Sequence, residues 1–518
     1  MSASPSICDI LQSMSPNRPL KFRNRTAPLI GIVLCALCVR AALMASTHRT
    51  VEDFYITLRY AVNLADHNEF AYNLGEHVLG TTTPLYTLFL AAVAKMGMAP
   101  IFWGKILNIF ADGASCVFIY RLGRAAGRPG VGLPAAAVFA VWPTNLYWAI
   151  SGMETALVTA AGLAVFVCLA ERRPLGMACF GAVLVLLRID GLLLVLVAFA
   201  ALWMMSRKPE REGRRISSKD FVRAALLFIV LLLPWVIFAT LYFGSPIPTS
   251  LVAKLAVYAW QAKSVFPNLK PFTSQMTHNL NLLLLIGVVP GIVVVSKRIR
   301  ALWAPVIWML LYYAAMAFSK SFLFGWYYVP PAPVYILVSV LGWAWAVNAL
   351  SARLPQKIVA WRFAALQVCL AGILFVGIVM TPRLAVMIRN DQREDVDLLE
   401  TTGRALKDTV KPGERVMLEP IGYIGYYSGV KVLDAVGLVS PEIIPYFRKG
   451  AVSPYLDIMA GLKPEYVLLR TGEYHDALDA KVPPYQALLA NYTLVREFRP
   501  EGAAPNSEAA FFLFKRKR

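Results

Sequence analysis

Glu52 and Asp53 form an acidic pair in the stretch VEDFYITLRYAVNL, residues 51–64. Further along the chain come Glu154 in SGMETAL, Arg188 and Asp190 in LLRIDGLLL, Lys254 in YFGSPIPTSLVAK, and Lys320, Trp326, Tyr327 and Tyr328 in SKSFLFGWYYVPP. Carboxylates in company with arginine and lysine suit transfer of a group off a phosphate. The cations hold the phosphate, on which negative charge grows as the bond breaks, and a positioned carboxylate takes the proton of the attacking hydroxyl. A phosphate leaves without a separate acid, so one base and one clamp suffice.

Each of these residues also has a plainer role. Trp326 and Tyr328 fit an aromatic belt at a membrane interface, and Lys254 and Lys320 fit side chains that snorkel toward headgroups. Glu154 could cap the helix that follows it, and Arg188 with Asp190 could be a structural ion pair. Ionisable groups at membrane depth are nevertheless costly and usually functional.

The elements that position them are membrane helices. Of 518 residues, 58% are hydrophobic and 16% charged, well off the balance of a soluble domain. Apolar runs recur from residue 28 to residue 381, each long enough to cross a hydrocarbon core of about 30 Å. Lys and Arg cluster between the runs, at 18–25, 121–128, 171–173, 206–215, 296–300 and 352–357. The bias that keeps basic loops in the cytoplasm puts the N-terminal tail (1–27) inside. It predicts eleven spans near 28–46, 101–121, 131–150, 154–170, 175–189, 191–206, 219–243, 279–296, 300–318, 328–348 and 361–381. The segment 81–98 is read as a short helix dipping into the outer leaflet or packed on the bundle, with a tight hairpin as the alternative.

The fold class is thus a polytopic α-helical membrane protein, with a transmembrane domain over 28–384 and a first outer loop at 47–100. A polar C-terminal part, 385–518, lies outside. There RVMLEP, KVLDAV, YVLLR and FFLFKR read as short strands, alternating with helical stretches in a small α/β domain. With this topology the acids and cations converge on one face, and Asp53 heads an amphipathic helix at the end of the first span, with Tyr55, Arg59 and Asn63 on roughly one side. A sugar carried on a lipid phosphate fits such a site, through an oxocarbenium-like transition state.

The stretch EDFYITLRYAVNLADHNEFAYNLGEHVLGTTTPLYTLFLA resembles the D-D-x-Y-I-x-x-R-Y-x-x-N-L…Y-N-x-G-E-x-V-x-G-x-T-x-P-L pattern of the GT-C superfamily of membrane glycosyltransferases. It is most like the branch containing mycobacterial terminal arabinofuranosyltransferases. GMETAL, RIDG, FGSPIPTSLVAK, GWYYVPP and IGYIGYYSGVKVLDAVGL resemble the same branch in patches. The resemblance implies an inverting enzyme that uses a polyprenyl-phosphate-linked sugar, arabinofuranose or a related pentose, and a glycan acceptor. It implies a bacterial plasma membrane, with the site on the extracytoplasmic side. Asp53 would be the base, with Glu52 in place of the first Asp of the pattern. Arg188 and Lys254 would contact the donor phosphate, assisted by Tyr327. Tyr55, Arg59, Glu154, Asp190, Trp326 and Asp434 would line the substrate sites, Asp434 having a plain surface acid as its alternative. The C-terminal domain would help hold the acceptor. The resemblance fixes no cofactor; a divalent cation stays open, though Glu52 in place of Asp speaks against a metal role for the pair.

Other classes fit less well. A lipid-linked glycan flippase or transporter is the runner-up, but it calls for a cationic path through the bundle or broken helices at the midplane. A net charge of +20 would suit nucleic acid, yet no basic stripe is interleaved with aromatics. Six of seven cysteines lie in apolar runs, and the C-x-x-C at 35–38 sits within a span, which speaks against a disulfide framework.

Overall fold

The computed structural model describes residues 26–207, 215–261, 266–277, 280–320, 322–351, 356–447, 453–473, 490–500 and 510–517. The expected N-terminal tail and most of the basic loop at 206–215 fall outside them. Helix α1 (Thr26–Thr47) leads into α2 (Glu52–His67) through an extended Val51. Two acids occupy the first turn of α2, where the helix dipole favours negative charge, and the helix ends on Asn68 in the left-handed conformation. Helix α3 (Pro84–Lys95) starts on a proline, which suits the first helical position. At 12 residues it is about 18 Å long, too short to cross a bilayer. It packs on α2 and on α4 (Pro100–Ala125), so segment 81–98 is a short helix laid on the bundle.

The expected span 131–150 is in fact two helices, α5 (Pro129–Ala140) and α6 (Pro143–Ala149). Pro143 explains the break, because proline biases the residue before it out of helical geometry. Then follow α7 (Thr155–Ala170), α8 (Pro174–Leu187), α9 (Leu192–Arg207), α10 (Ser218–Phe243), α11 (Thr249–Gln261) and α12 (Leu269–Thr277). Helices α13 (Leu280–Arg298), α14 (Trp303–Phe318) and α15 (Ala332–Ser351) complete the bundle, with α16 (Gln356–Asp395). Among the described residues seven helices are long and apolar enough to cross a membrane. Three of the other expected spans correspond to the shorter α5–α6, α7 and α8, and 361–381 is the middle of the 40-residue α16. Helix α10 leaves Leu226, Ile229, Val230, Leu233 and Leu241 exposed, the surface of a helix that faces lipid. Inside the bundle Arg40 of α1 meets Asp112 of α4 at 2.6 Å, both fully buried. Such a pair is costly to desolvate but more costly to break.

Helix α16 runs on without a loop through a π-helical turn (Val396–Glu400) into α17 (Thr401–Thr409). The C-terminal domain follows: β1 (Arg415–Leu418), α18 (Gly422–Ser428), β2 (Lys431–Asp434), α19 (Pro454–Leu462), β3 (Tyr466–Arg470), β4 (Tyr492–Phe498) and β5 (Phe511–Arg516). The sheet order is β2-β1-β3-β5-β4, parallel on the β2-β1-β3 side and antiparallel beyond it. The four expected strands are present. The fifth, β4, is an edge strand with only its terminal residues buried, so its apolar pattern is weak. Met417, Leu433, Val467, Leu469, Phe512 and Phe514 form this domain's core, and Val257 of α11 packs into it.

Candidate active site

Two segments bring the site together. The chain from 78 to 83 is fixed by Tyr60, whose hydroxyl donates to the Val78 carbonyl at 2.6 Å and accepts the Gly80 amide at 2.9 Å. The start of α11 is tied to it, the Thr249 amide donating to the Leu79 carbonyl at 2.8 Å. Between α2, this segment, α11 and the turns at 153–154 and 188–190 lies a cavity of about 150 Å³. Asp53, Glu154, Arg188, Asp190, Lys254, Trp326 and Tyr327 line it, with Thr57, Thr81, Thr83, Ser250 and Leu438.

The Arg188 guanidinium is the centre of a triad. Its Nε and Nη2 donate to the two oxygens of Asp190 at 3.0 and 3.1 Å, and Nη1 donates to Glu154 Oε1 at 3.1 Å. The Tyr327 ring lies 5.4 Å from the guanidinium, within cation–π range. Arg188 and Asp190 are therefore an ion pair, as the plainer reading had it, and they are also at the cavity. Glu154 makes no side-chain cap to α7; its carboxylate goes to Arg188. Lys254 makes no ion pair with a carboxylate among the described residues, and its Nζ lies 5.6 Å from the Phe324 ring. That ring stacks on Trp326 at 4.2 Å. One arginine balanced by two acids, beside a lysine without one, leaves the lysine as the cation open to an incoming anion.

Asp53 has no hydrogen-bond or ion-pair partner among the described residues. Its neighbour does. Glu52 points away from the cavity and accepts the backbone amides of Gly422 and Tyr423, the latter at 2.8 Å, at the start of α18. Burial pushes the Glu52 carboxyl up to about 8, against the pull of those two amides. The expected pair thus splits, one acid at the cavity and one at the domain junction.

Three more expected site residues lie elsewhere. Tyr55 packs its ring on Tyr423 at 4.1 Å and reaches the Tyr427 hydroxyl at 3.4 Å. Arg59 donates to the carbonyls of Tyr72 (2.8 Å), Gly425 (2.6 Å) and Val430 (2.8 Å). Its donors are spent on the seam between the loop at 68–83 and the C-terminal domain. Asp434 is fully buried, not a surface acid, and accepts the amides of Val436 (2.9 Å) and Val439 (3.1 Å). Burial raises its carboxyl to about 6. None of the three lines the cavity. Lys320 is exposed and is not among the cavity residues, while Tyr328 stacks on Phe272.

The hydroxyl wall was not singled out from sequence. Thr83 Oγ1 lies 3.1 Å from Thr81 Oγ1 and 3.3 Å from Thr57 Oγ1, and Ser250 Oγ is buried with no partner among the described residues. The run TTTP carried the only local signal. Leu438 had none, since it comes from the C-terminal domain. Glu52 is turned away from the cavity, and Glu154 and Asp190 are held by Arg188; among the described residues no group of three or more His, Cys, Asp or Glu could hold a metal ion.

Residues 387–514 match a family described as a domain of unknown function, DUF8728. Nothing among curated protein sequences matches the chain. Solved structures do. ArnT from Cupriavidus metallidurans, bound to undecaprenyl phosphate, aligns over 95% of this chain and 98% of its own at 13% identity, with a TM-score of 0.57. The oligosaccharyltransferase AglB from Archaeoglobus fulgidus, in complex with an inhibitory peptide and a dolichol-phosphate, aligns over 95% of this chain and 74% of its own at 12% identity, TM-score 0.53. The mycobacterial arabinofuranosyltransferase AftD aligns over 93% of this chain but only 41% of its own, at 16% identity, TM-score 0.50. At such identities the likeness is one of fold alone.

Proposed function

We propose that the protein is an inverting membrane glycosyltransferase that moves a sugar from a polyprenyl-phosphate donor to a hydroxyl of a glycan acceptor on the extracytoplasmic side of a bacterial plasma membrane. The observation that carries this reading is that Asp53, whose side chain has no partner among the described residues, faces the same cavity as Lys254 and Arg188. Undecaprenyl phosphate and dolichol-phosphate in proteins of the same fold support a polyprenyl phosphate here. Arabinofuranose as the sugar is favoured by the resemblance of the first outer loop and by the likeness to AftD.

In this reading the donor phosphate sits against Lys254 and the outward N–H groups of Arg188, with Tyr327 beside it. Glu154 and Asp190 hold the guanidinium in place. The acceptor oxygen attacks the anomeric carbon from the side opposite the phosphate, Asp53 takes its proton, and the carbon–oxygen bond to phosphate breaks. Lys254 and Arg188 take up the charge that develops on the leaving group. A single displacement inverts the anomeric centre. A positioned base contributes about 10²- to 10⁴-fold, and preorganised cations supply the rest.

The test is transfer by purified protein from synthetic polyprenyl-phosphoryl arabinofuranose, with the mannosyl and glucosyl analogues beside it, to a short glycan. Product from wild type and none from folded Asp53→Asn protein supports enzyme and base together. Product from both would remove Asp53 as the base.

A further inference from the structure

We infer that Leu438 is the C-terminal domain's own contribution to the reaction centre: an apolar wall that keeps water away from the anomeric carbon, so that the acceptor hydroxyl reacts there instead. This rests on the transferase reading.

The loop after β2 is built to present one side chain. Asp434 accepts the amides of Val436 and Val439 with its two carboxylate oxygens, and its own amide donates to Ser440 Oγ at 3.0 Å. The Gly437 amide closes the turn on the Asp434 carbonyl at 3.0 Å, with Gly437 at a φ of +86°, a conformation that favours glycine. The loop is pressed against the first outer loop: a Cβ on Gly80 would meet Val439 Cγ1 at 2.6 Å and the Leu438 carbonyl at 2.8 Å. Of residues 435–440, only Leu438 lines the cavity, and it is the half-buried one among buried neighbours. A scaffold of four hydrogen bonds around an apolar tip is more than packing requires, since the same strand end could close on a surface turn.

The chemistry explains why an apolar residue belongs there. Water is a competing nucleophile in any sugar transfer. If it attacks the anomeric carbon, the bond to phosphate breaks as in transfer, polyprenyl phosphate leaves, and the proton of the water goes to Asp53. The products are free sugar and lipid phosphate, and the donor is wasted. Excluding water from the cavity suppresses this side reaction. Thr57, Thr81 and Thr83 give the wall its hydroxyls, and Leu438 joins Ile56, Met153, Ile189 and Leu251 in its apolar part, so a polar side chain in place of Leu438 would give a water a foothold there.

The experiment uses the full-length protein and the polyprenyl-phosphoryl sugar that it turns over. Free sugar and transferred sugar are measured in the presence of acceptor. Leu438→Ser should raise the ratio of hydrolysis to transfer about tenfold or more, the discrimination expected from changing one apolar contact, while Leu438→Met keeps the wild-type ratio. Asp434→Asn, which loosens the scaffold without touching the cavity, should raise the ratio by a smaller factor. An unchanged ratio in folded Leu438→Ser protein overturns the inference and leaves the transferase reading standing. Wild-type protein that releases polyprenyl phosphate from no donor, with or without acceptor, overturns both.

Discussion

The carboxylate of Glu52 accepts the backbone amide of Tyr423 at 2.8 Å, between residues 371 positions apart in the chain. Asp53 follows it directly. The acid that faces the cavity is thus held in place by the acid that does not, through a bond to the C-terminal domain. Arg59, about two turns further along α2, repeats the attachment on the carbonyls of Gly425 and Val430. Tyr72 adds its hydroxyl on the Ile421 carbonyl, and Asn73 exchanges hydrogen bonds with both backbone groups of Val432. The loop at 68–83 and the C-terminal domain form one unit on which Asp53 is mounted. A displacement of about 1 Å at such a group can cost about a hundredfold in rate.

Asp53→Asn should lower kcat by about 10²- to 10⁴-fold, the range of a lost general base, with little change in binding of polyprenyl phosphate. Turnover assays beside a lipid-phosphate binding measurement check this. Loss of binding equal to the loss of rate would make Asp53 a donor contact rather than the base.

Lys254→Ala should weaken polyprenyl phosphate binding about ten- to a hundredfold, since a charge-assisted hydrogen bond is worth roughly 1.5–3 kcal/mol. Binding of the carrier phosphate without sugar isolates the effect. Unchanged affinity would move the phosphate away from α11.

Arg59→Met removes the guanidinium from the carbonyls of Tyr72, Gly425 and Val430. The Tyr72 and Gly425 carbonyls keep second donors in Asn63 Nδ2 at 3.0 Å and the Gly429 amide at 3.1 Å, so the cost is that of the lost charge-assisted hydrogen bonds, about 1.5–3 kcal/mol. Thermal unfolding of the detergent-solubilised protein should show it as a lower Tm, with faster proteolysis near 420–430. A Tm equal to wild type would mean that the seam carries little of the stability.

Glu52 gives the stability a pH dependence. Its carboxyl is held at about 8 in the folded chain against an ordinary value of 4.5. Below the lower value both states keep the proton. Between the two only the folded chain does, so stability from this group falls as pH rises through the window and levels off above about 8. Glu52→Gln cannot ionise. The Tm difference between wild type and Glu52→Gln, read from pH 4 to pH 9, should therefore favour wild type most at the acid end and shrink toward pH 8. A difference constant across the range would mean that the group does not change its charge.

The bundle was legible in the sequence because partition into lipid depends on local composition alone. Seven apolar runs became long helices at nearly the expected limits, and four strands announced themselves by apolar stretches bounded by glycine, proline or charge. The position of Asp53 at the head of an amphipathic helix was equally local, as were the cavity residues Arg188, Lys254 and Tyr327, each in a motif of its own. The split of 131–150 at Pro143 carried a local signal too, but the apolar run masked it. What the fold alone decided is the direction of each side chain. Glu52 and Asp53 are neighbours in sequence yet about 100° apart around the helix, so only the arrival of α18 on one side determines which acid is left for the cavity. Tyr55 and Arg59 follow Glu52 to that side for the same reason. Asp434 stood out in its motif but not as the residue that holds a loop, and Leu438 not at all, because their roles arise where a loop of one domain meets the cavity of another. Contacts between segments hundreds of residues apart depend on how those segments pack in three dimensions, and that is set by the whole chain rather than by any stretch of it.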